Sequence, residues 1–254
     1  ITSEDIGFKI APRINAVGRL YDPSLVINLL SVDETGTAMQ IARKCDELNR
    51  NRKTLVEGIE AEASAILESG NSNLPSFIIL AQNHWHQGVV GIVASRLVNK
   101  YNRPSAVLAG LDNGYYSASV RSAQGLSIID LLNNCSDLLE RYGGHMYAGG
   151  FTIKAENLGR LQDRVYESLK GWSAERTFNK EIRPEANLQL SEINESFYEN
   201  LKQIEPYGNE NPKPLFWARA CSIKNIKLLK GSHLNLLITQ NNTEIKAIMW
   251  NNTT

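Results

Sequence analysis

The sequence predicts an α/β layer with one long helix before it and a small β-barrel or sandwich after it. Three patterns carry that reading. A proline-free run from Thr35 to Glu68 has apolar positions three and four apart, a central stretch alternates buried strands with helices, and a closing stretch holds short strands between turn residues. Residues 1–34 are mixed and punctuated by Gly and Pro, with one short helical pattern at Ser24–Leu30. In the long run Ala38, Ile41, Cys45, Leu48, Leu55, Ile59, Ala63 and Ile66 fall on one helical face. Arg52 stands at the one step of that face where an apolar residue is missing. At about 1.5 Å per residue the helix is on the order of 50 Å long, enough to link two bodies or to pack across one. Gly70-Asn71-Ser72-Asn73 ends it.

Beyond the break, Phe77–Ala81 reads as a buried strand, Val89–Tyr101 as a helix and Ser105–Ala109 as a second buried strand. Asn113-Gly114 is a turn signal before a third strand, Tyr115–Arg121. A helix is predicted from Ser127 to about Tyr142, a fourth strand near Gly150–Ile153 and a helix from Glu156 to Trp172. Residues 173–186 are polar, include Pro184 and read as a linker. A short strand at Asn187–Leu190, a helix from Glu192 to Ile204 and the turn-rich Glu205–Pro214 follow. Three strand-like runs, Leu215–Cys221, Leu234–Ile238 and Glu244–Trp250, complete the pattern of a small barrel or sandwich, which is read as partial.

Composition narrows the function classes. With 254 residues, 42% of them apolar, and 27 basic against 27 acidic side chains, the chain is not disordered, collagen-like or a disulfide scaffold. Its three cysteines, Cys45, Cys135 and Cys221, are too far apart for a zinc or disulfide pattern and suit a reducing cytosol. No apolar run approaches the roughly 18–20 residues that span a bilayer. The opening Ile1-Thr2-Ser3-Glu4-Asp5 has neither Met nor a leader, and the chain reads as a fragment. Overall neutrality argues against a nucleic-acid partner until the charge is divided by segment. Leu74–Lys170 has 9 basic against 7 acidic residues and Ala220–Thr254 has 4 against 1, so both segments are modestly basic.

Four segments depart from what packing alone asks for. In Ala11-Pro12-Arg13-Ile14-Asn15-Ala16-Val17-Gly18-Arg19, two guanidiniums and an amide interleave with small residues, as in a loop with surface arginines or a phosphate contact. In His84-Trp85-His86-Gln87-Gly88-Val89-Val90-Gly91, two His flank a Trp after a strand and glycines precede a helix. Free N–H groups at that helix start suit a phosphate, and a metal pair lacks a third ligand. Alternation puts Ser117, Ser119 and Arg121 on one strand face, an arrangement equally able to bind an oxyanion or to face solvent. In Arg141-Tyr142-Gly143-Gly144-His145, a diglycine reads as a helix C-cap or as a means of aiming His145, while Ala148-Gly149-Gly150 has no packing explanation.

Taken in order, these segments resemble the RecJ family of single-strand-specific exonucleases in the DHH phosphoesterase superfamily. The matching stretches are Ala-Pro-Arg-Ile-Asn-Ala-X-Gly-Arg, Trp-His-X-Gly-Val-Val-Gly, Ser-X-Arg-Ser and Gly-Gly-His followed by Ala-Gly. Glu205-Pro206-Tyr207-Gly208-Asn209 before Leu215-Phe216 resembles the approach to the family's oligonucleotide-binding (OB) barrel. The family pattern carries a second Ala where this chain has Gly149.

The resemblance implies a fold, an organisation and a set of roles. The fold is a DHH-associated α/β domain preceded by a long connecting helix and followed by an OB-like β-barrel. Residues 1–34 would be the tail of the DHH catalytic domain, 35–69 the connecting helix, 74–172 the DHH-associated domain, 173–186 a linker and 187–254 a partial OB-like domain. Mn2+ or Mg2+ would be held by an N-terminal Asp-His-His domain that this sequence lacks, so this chain would be inactive alone.

Ser119 and Arg121 would grip the 5′-terminal phosphate, and His145 would act on the scissile phosphate. Arg13, Asn15, Arg19, His86, Gly143, Gly144, Trp217, Lys224 and Lys227 would meet the strand, with Tyr207, Phe216 and Trp250 as further stacking candidates. Single-stranded DNA would be the partner, with a single-strand-binding protein or a helicase beside it, in the cytoplasm and off the membrane. Two other readings stand beside this one: a phosphodiesterase for short oligonucleotides or cyclic dinucleotides, and a non-catalytic single-strand-binding module.

Overall fold

The structure, a computed structural model, describes residues 1–69, 74–123, 125–170, 182–208, 210–229 and 233–250. The predicted break at Gly70–Asn73, Trp172, most of the expected linker, Asn209 and Lys230 lie outside the described residues. The chain divides into two compact units, Ile1–Asn179 and Lys180–Thr254.

In the first unit a π-helical turn, Asp5–Ile10, leads into α1 (Ala11–Leu20), α2 (Ser24–Ser31) and the 35-residue α3 (Thr35–Ser69). The Ala-Pro-Arg-Ile-Asn segment is thus helical rather than a loop. Pro12 follows directly on the π-helical turn, where the hydrogen-bond ladder is already irregular, and Ala16 and Val17 bury against Cys45 and Leu48 of α3. α3 spans the length predicted for it, and its apolar face feeds two clusters in succession.

A five-stranded sheet follows in the order β1-β2-β3-β5-β4, with β1 Ile78–Gln82, β2 Ser105–Leu111, β3 Tyr115–Arg121, β4 Leu139–His145 and β5 Ala148–Lys154. β1 and β2 are parallel and joined through α4 (Val90–Tyr101), while the other pairs are antiparallel. One face packs under α5 (Ile128–Asn133) and α6 (Leu158–Ser168) through Phe77, Ile79, Leu108, Ala118, Val120, Phe151 and Ile153. The other face packs under α3 and α4 through Ile78, Leu80, Val107 and Ala109, all of them on β1 and β2.

The helix expected from Ser127 to Tyr142 ends at Asn133, and Leu139–His145 is a strand. Ile128, Leu131, Leu132, Cys135 and Leu138 do keep a helical spacing into the core. Gly143 and Gly144 have no side chain to bury and instead pair with Gly150 and Gly149 of β5. The diglycine therefore lies inside a β-hairpin and is not a helix cap.

In the second unit β6 (Ala186–Asn187) pairs with β7 (Phe216–Trp217), and α7 (Glu195–Lys202) is capped by Asn194, whose Oδ1 accepts from Phe197 N at 3.0 Å. Three antiparallel strands follow, β8 (Ser222–Leu229), β9 (His233–Gln240) and β10 (Thr243–Met249), with β9 central. β8 stands where no strand was predicted, because Lys224 and Lys227 interrupt its apolar alternation, and of the expected strand Leu215–Cys221 only Phe216–Trp217 is extended and paired. The sheet is not closed, consistent with an OB-like unit. Buried Gln240 fastens it: Oε1 accepts from Leu190 N at 2.7 Å, and Nε2 donates to Arg219 O at 2.6 Å.

Candidate nucleic-acid interface

The site is built on β3, β5 and β4 of the first sheet, beside the first turn of α4. Antiparallel register aligns Arg121 of β3 with Ala148 of β5, and Ala148 with His145 of β4. Ser119 aligns in the same way with Gly150, and Gly150 with Gly143. Residues aligned across strands share a face, so Ser119 and Arg121 look across a floor of Gly143, Ala148 and Gly150 toward His145. Two strand spacings put Arg121 and His145 about 10 Å apart at the backbone. The small residues that packing did not explain are this floor. Gly149 points the opposite way, and a Cβ there would lie 2.9 Å from Ile128 Cγ2 and from Leu132 Cδ1, so α5 sits directly on it.

Arg121 is half-buried, and its Nη1 donates to Val120 O at 2.8 Å, which fixes the plane of the guanidinium. Its Nη2 and Ser119 Oγ each lie 3.1 Å from where a Gly91 Cβ would be. Gly91 is in the first turn of α4, a helix whose N-cap residue Val89 supplies no side-chain cap. An uncapped helix start, a hydroxyl and a guanidinium therefore converge, each a donor suited to phosphate oxygens. Burial, and then the charge of Arg19, lowers the pKa of Arg121 from the ordinary arginine value, so a further cation stands close by.

Arg19 reaches the site from the last turn of α1, where its Nη1 donates to Gly88 O at 3.0 Å. Gly88 N in turn donates to His86 Nδ1 at 3.0 Å. A Cβ on Gly88 would fall inside van der Waals contact with the Arg19 carbonyl oxygen. We expect Gly88→Ala to push α1 off this loop and lower stability by about 1–3 kcal/mol. Gly18→Ala, with no atom within 4 Å of its Cβ, should be neutral or slightly stabilising. Urea denaturation of both variants checks the contrast, and equal stability of the two would refute the close approach.

Not every residue singled out in the sequence joins this group. Arg13 is held by Asp46, to which Nε and Nη2 each donate at 2.8 Å, and Asn15 is exposed farther along α1. His84 faces an acid of α3: its Nε2 and the Trp85 indole N–H lie 2.9 and 2.8 Å from Glu62 Oε2. Those bonds, the Trp85 one first, hold the Glu62 carboxyl below its ordinary value. His145 is exposed, with Tyr147 N donating to its Nδ1 at 3.3 Å.

In the second unit Lys224 is ion-paired with Glu244, and the Trp217 ring carries Arg219 4.3 Å above it. Lys227 instead lines a groove of about 230 Å³ with Asn225, Asn235, Leu237 and Lys246. Sequence reasoning missed Lys246, Asn225 and Asn235, whose shared face appears only once the register of β8, β9 and β10 is known.

Comparison with known proteins agrees with the fold. A family model described as the DHHA1 domain matches residues 74–171, and one described as the RecJ OB domain matches residues 185–254. The single-stranded-DNA-specific exonuclease RecJ of Salmonella typhimurium is 32% identical over 94% of the chain. The chain belongs to the RecJ family.

RecJ of Bacillus subtilis, also described as a single-stranded-DNA-specific exonuclease, is 30% identical over 98% of the chain. The chain spans 42% of the Salmonella RecJ and 32% of the Bacillus RecJ. The crystal structure of RecJ from Thermus thermophilus in complex with Mg2+ covers the whole chain with a TM-score of 0.79 at 28% identity, the chain accounting for 38% of it. The same RecJ has a structure in complex with Mn2+, with TM-score 0.79 and 29% identity over the whole chain and 37% of that structure.

The described residues offer those ions no ligand set. Among the described residues no three of His, Cys, Asp and Glu converge, and the groups around Ser119 are guanidiniums. Glu60 and Glu62 are engaged by Arg96, His84 and Trp85. No described helix is long and apolar enough to cross a membrane.

Proposed function

We propose that this chain supplies strand and 5′-phosphate binding to a single-stranded-DNA-specific exonuclease that degrades DNA 5′ to 3′ by metal-dependent phosphodiester hydrolysis, in the cytoplasm, during repair and recombination. The observation that carries this reading is the row Arg121–Ala148–His145 with Ser119 beside it, an anion receptor and an imidazole facing each other across a floor without bulky side chains. The names of the RecJ relatives support the substrate and reaction. A terminal phosphomonoester carries more charge than an internucleotide phosphate, and a receptor of uncompensated arginines rewards that difference. His145 would stabilise charge developing on the scissile phosphate.

Divalent ions held outside this chain would activate the attacking water, so residues 1–34 serve as the edge of the metal-binding domain, and the chain alone hydrolyses no DNA. Groove residues of the OB-like unit, Lys227 and Lys246 among them, would also contact the backbone of single-stranded DNA. A single-strand-binding protein or a helicase would present the strand.

Fluorescence anisotropy of this chain with single-stranded oligonucleotides over a salt series tests the reading. Affinity should fall steeply as salt rises, by about 0.7 of a log-log unit per phosphate contacted, and should be higher for 5′-phosphorylated strands. A flat salt response, or equal affinity for 5′-phosphorylated and 5′-hydroxyl ends, refutes it.

A further inference from the structure

Arg52 breaks the apolar face of α3, and the structure shows what it does there. It is half-buried, and its Nε and Nη2 donate to the Oδ1 of Asn49 at 3.2 and 3.0 Å. Asn49 is only 3% exposed, so a buried amide is spent on holding this one guanidinium in place. No acidic group lies within ion-pair distance of Arg19, Arg52 or Arg121 among the described residues, although Arg13, Arg50 and Arg96 each have one. A half-buried cation without a counter-charge is costly unless an anion visits it.

Packing places Arg52 beside Arg19. Leu20, the residue after Arg19, packs against both the Cys45–Leu48 cluster and the Val56–Ile59 cluster, and Arg52 lies between those positions on α3. α3 and α4 run in the same direction, with Arg96 on Glu60 at 2.5 Å and Lys100 on Ser64 at 2.9 Å, so Arg52 lies toward the start of α4. The pKa of Arg52 is lowered by burial first and then by the charges of Arg19 and Arg96, while Arg19 also acts on Arg121. Arg19 is thus the middle of three guanidiniums that share one field.

We propose that Arg52 is the inner member of a three-arginine receptor and makes the site demand a doubly charged 5′-terminal phosphate rather than a singly charged one. This rests on the 5′-phosphate reading above. Two of its three nitrogens are committed to Asn49, so Arg52 acts mainly through its charge, and its role is to set specificity rather than to touch the reacting atoms.

The test compares three oligodeoxythymidylates by anisotropy with the full chain, ending in a 5′-phosphate, a 5′-methylphosphate and a 5′-hydroxyl. The unsubstituted chain should prefer the phosphate over its singly charged methyl ester by roughly tenfold, the worth of one charge-assisted contact. Arg52→Gln should bring that preference close to parity, weakening binding of the 5′-phosphate strand far more than that of the 5′-hydroxyl strand. Arg52→Lys, which keeps the charge, should retain most of the preference and decides the matter if the Gln variant does not fold. Equal weakening for all three ends in Arg52→Gln, or loss of the preference in Arg52→Lys, would overturn the role of Arg52. Absence of any preference between 5′-phosphate and 5′-hydroxyl in the unsubstituted chain would instead remove the terminal-phosphate reading itself.

Discussion

Arg121→Ala is expected to reduce the preference for 5′-phosphorylated over 5′-hydroxyl strands on the order of 100-fold, with little change in binding of the hydroxyl strand. A hydrogen bond to a charged group contributes about 1.5–3 kcal/mol, and a guanidinium offers two such bonds to a phosphate. The effect should be concentrated at the strand end because Arg121 is aimed. Its Nη1 is committed to Val120 O, its Nη2 lies against the first turn of α4, and Ser119 Oγ borders the same spot. Arg121→Lys should recover little, since an ammonium cannot hold the Val120 carbonyl and a phosphate in the same geometry. Competition binding with both strand ends measures the ratio directly. A uniform loss on both would show that Arg121 contributes only diffuse attraction.

The α/β layer, the long α3 and the closing strands β9 and β10 were legible because each follows from a period of 3.6 or 2 in apolar residues. The site was legible in part, since alternation alone put Ser119 and Arg121 on one face. What the sequence hid was pairing. His145 comes level with Arg121 only through two antiparallel registers, and no local pattern records that Gly143 faces Gly150.

The helix wrongly extended from Ser127 to Tyr142 shows the same limit. Its apolar spacing fits a helix as far as Leu138, and the strand beyond is stabilised by partners more distant in sequence. Arg52 was visible as an interruption of a stripe, but its meaning required Arg19, which arrives from another helix. Lys224 stood out as a cation although Glu244, which neutralises it, lies two strands away.

Gly144→Ala should be the most disruptive single-methyl change in the hairpin, while Gly143→Ala, one residue earlier, should be close to neutral. A Cβ at position 144 would overlap the Ala148 carbonyl oxygen and lie 2.5 Å from the Gly149 Cα, both backbone atoms of the facing strand. Neither can turn aside as a side chain does, so β4 must separate from β5 where they carry His145 and Ala148. At position 143 no atom lies within 4 Å of the added methyl.

The expected cost at position 144 is about 3 kcal/mol, the range of backbone clashes that cannot relax, or roughly 10 °C in melting temperature for a unit of this size. Thermal unfolding of the two variants measures it, and similar melting points would refute the hairpin contact. The consequence for function follows from the same geometry. The hairpin tip is pinned by Ser122 N donating to Tyr147 O at 2.9 Å and Ile128 N donating to Met146 O at 3.0 Å, so separation of the strands displaces His145 while Ser119 and Arg121 stay on β3. Gly144→Ala should therefore keep the preference for 5′-phosphorylated ends in chains that remain folded, which separates holding the strand end from acting on the bond beyond it.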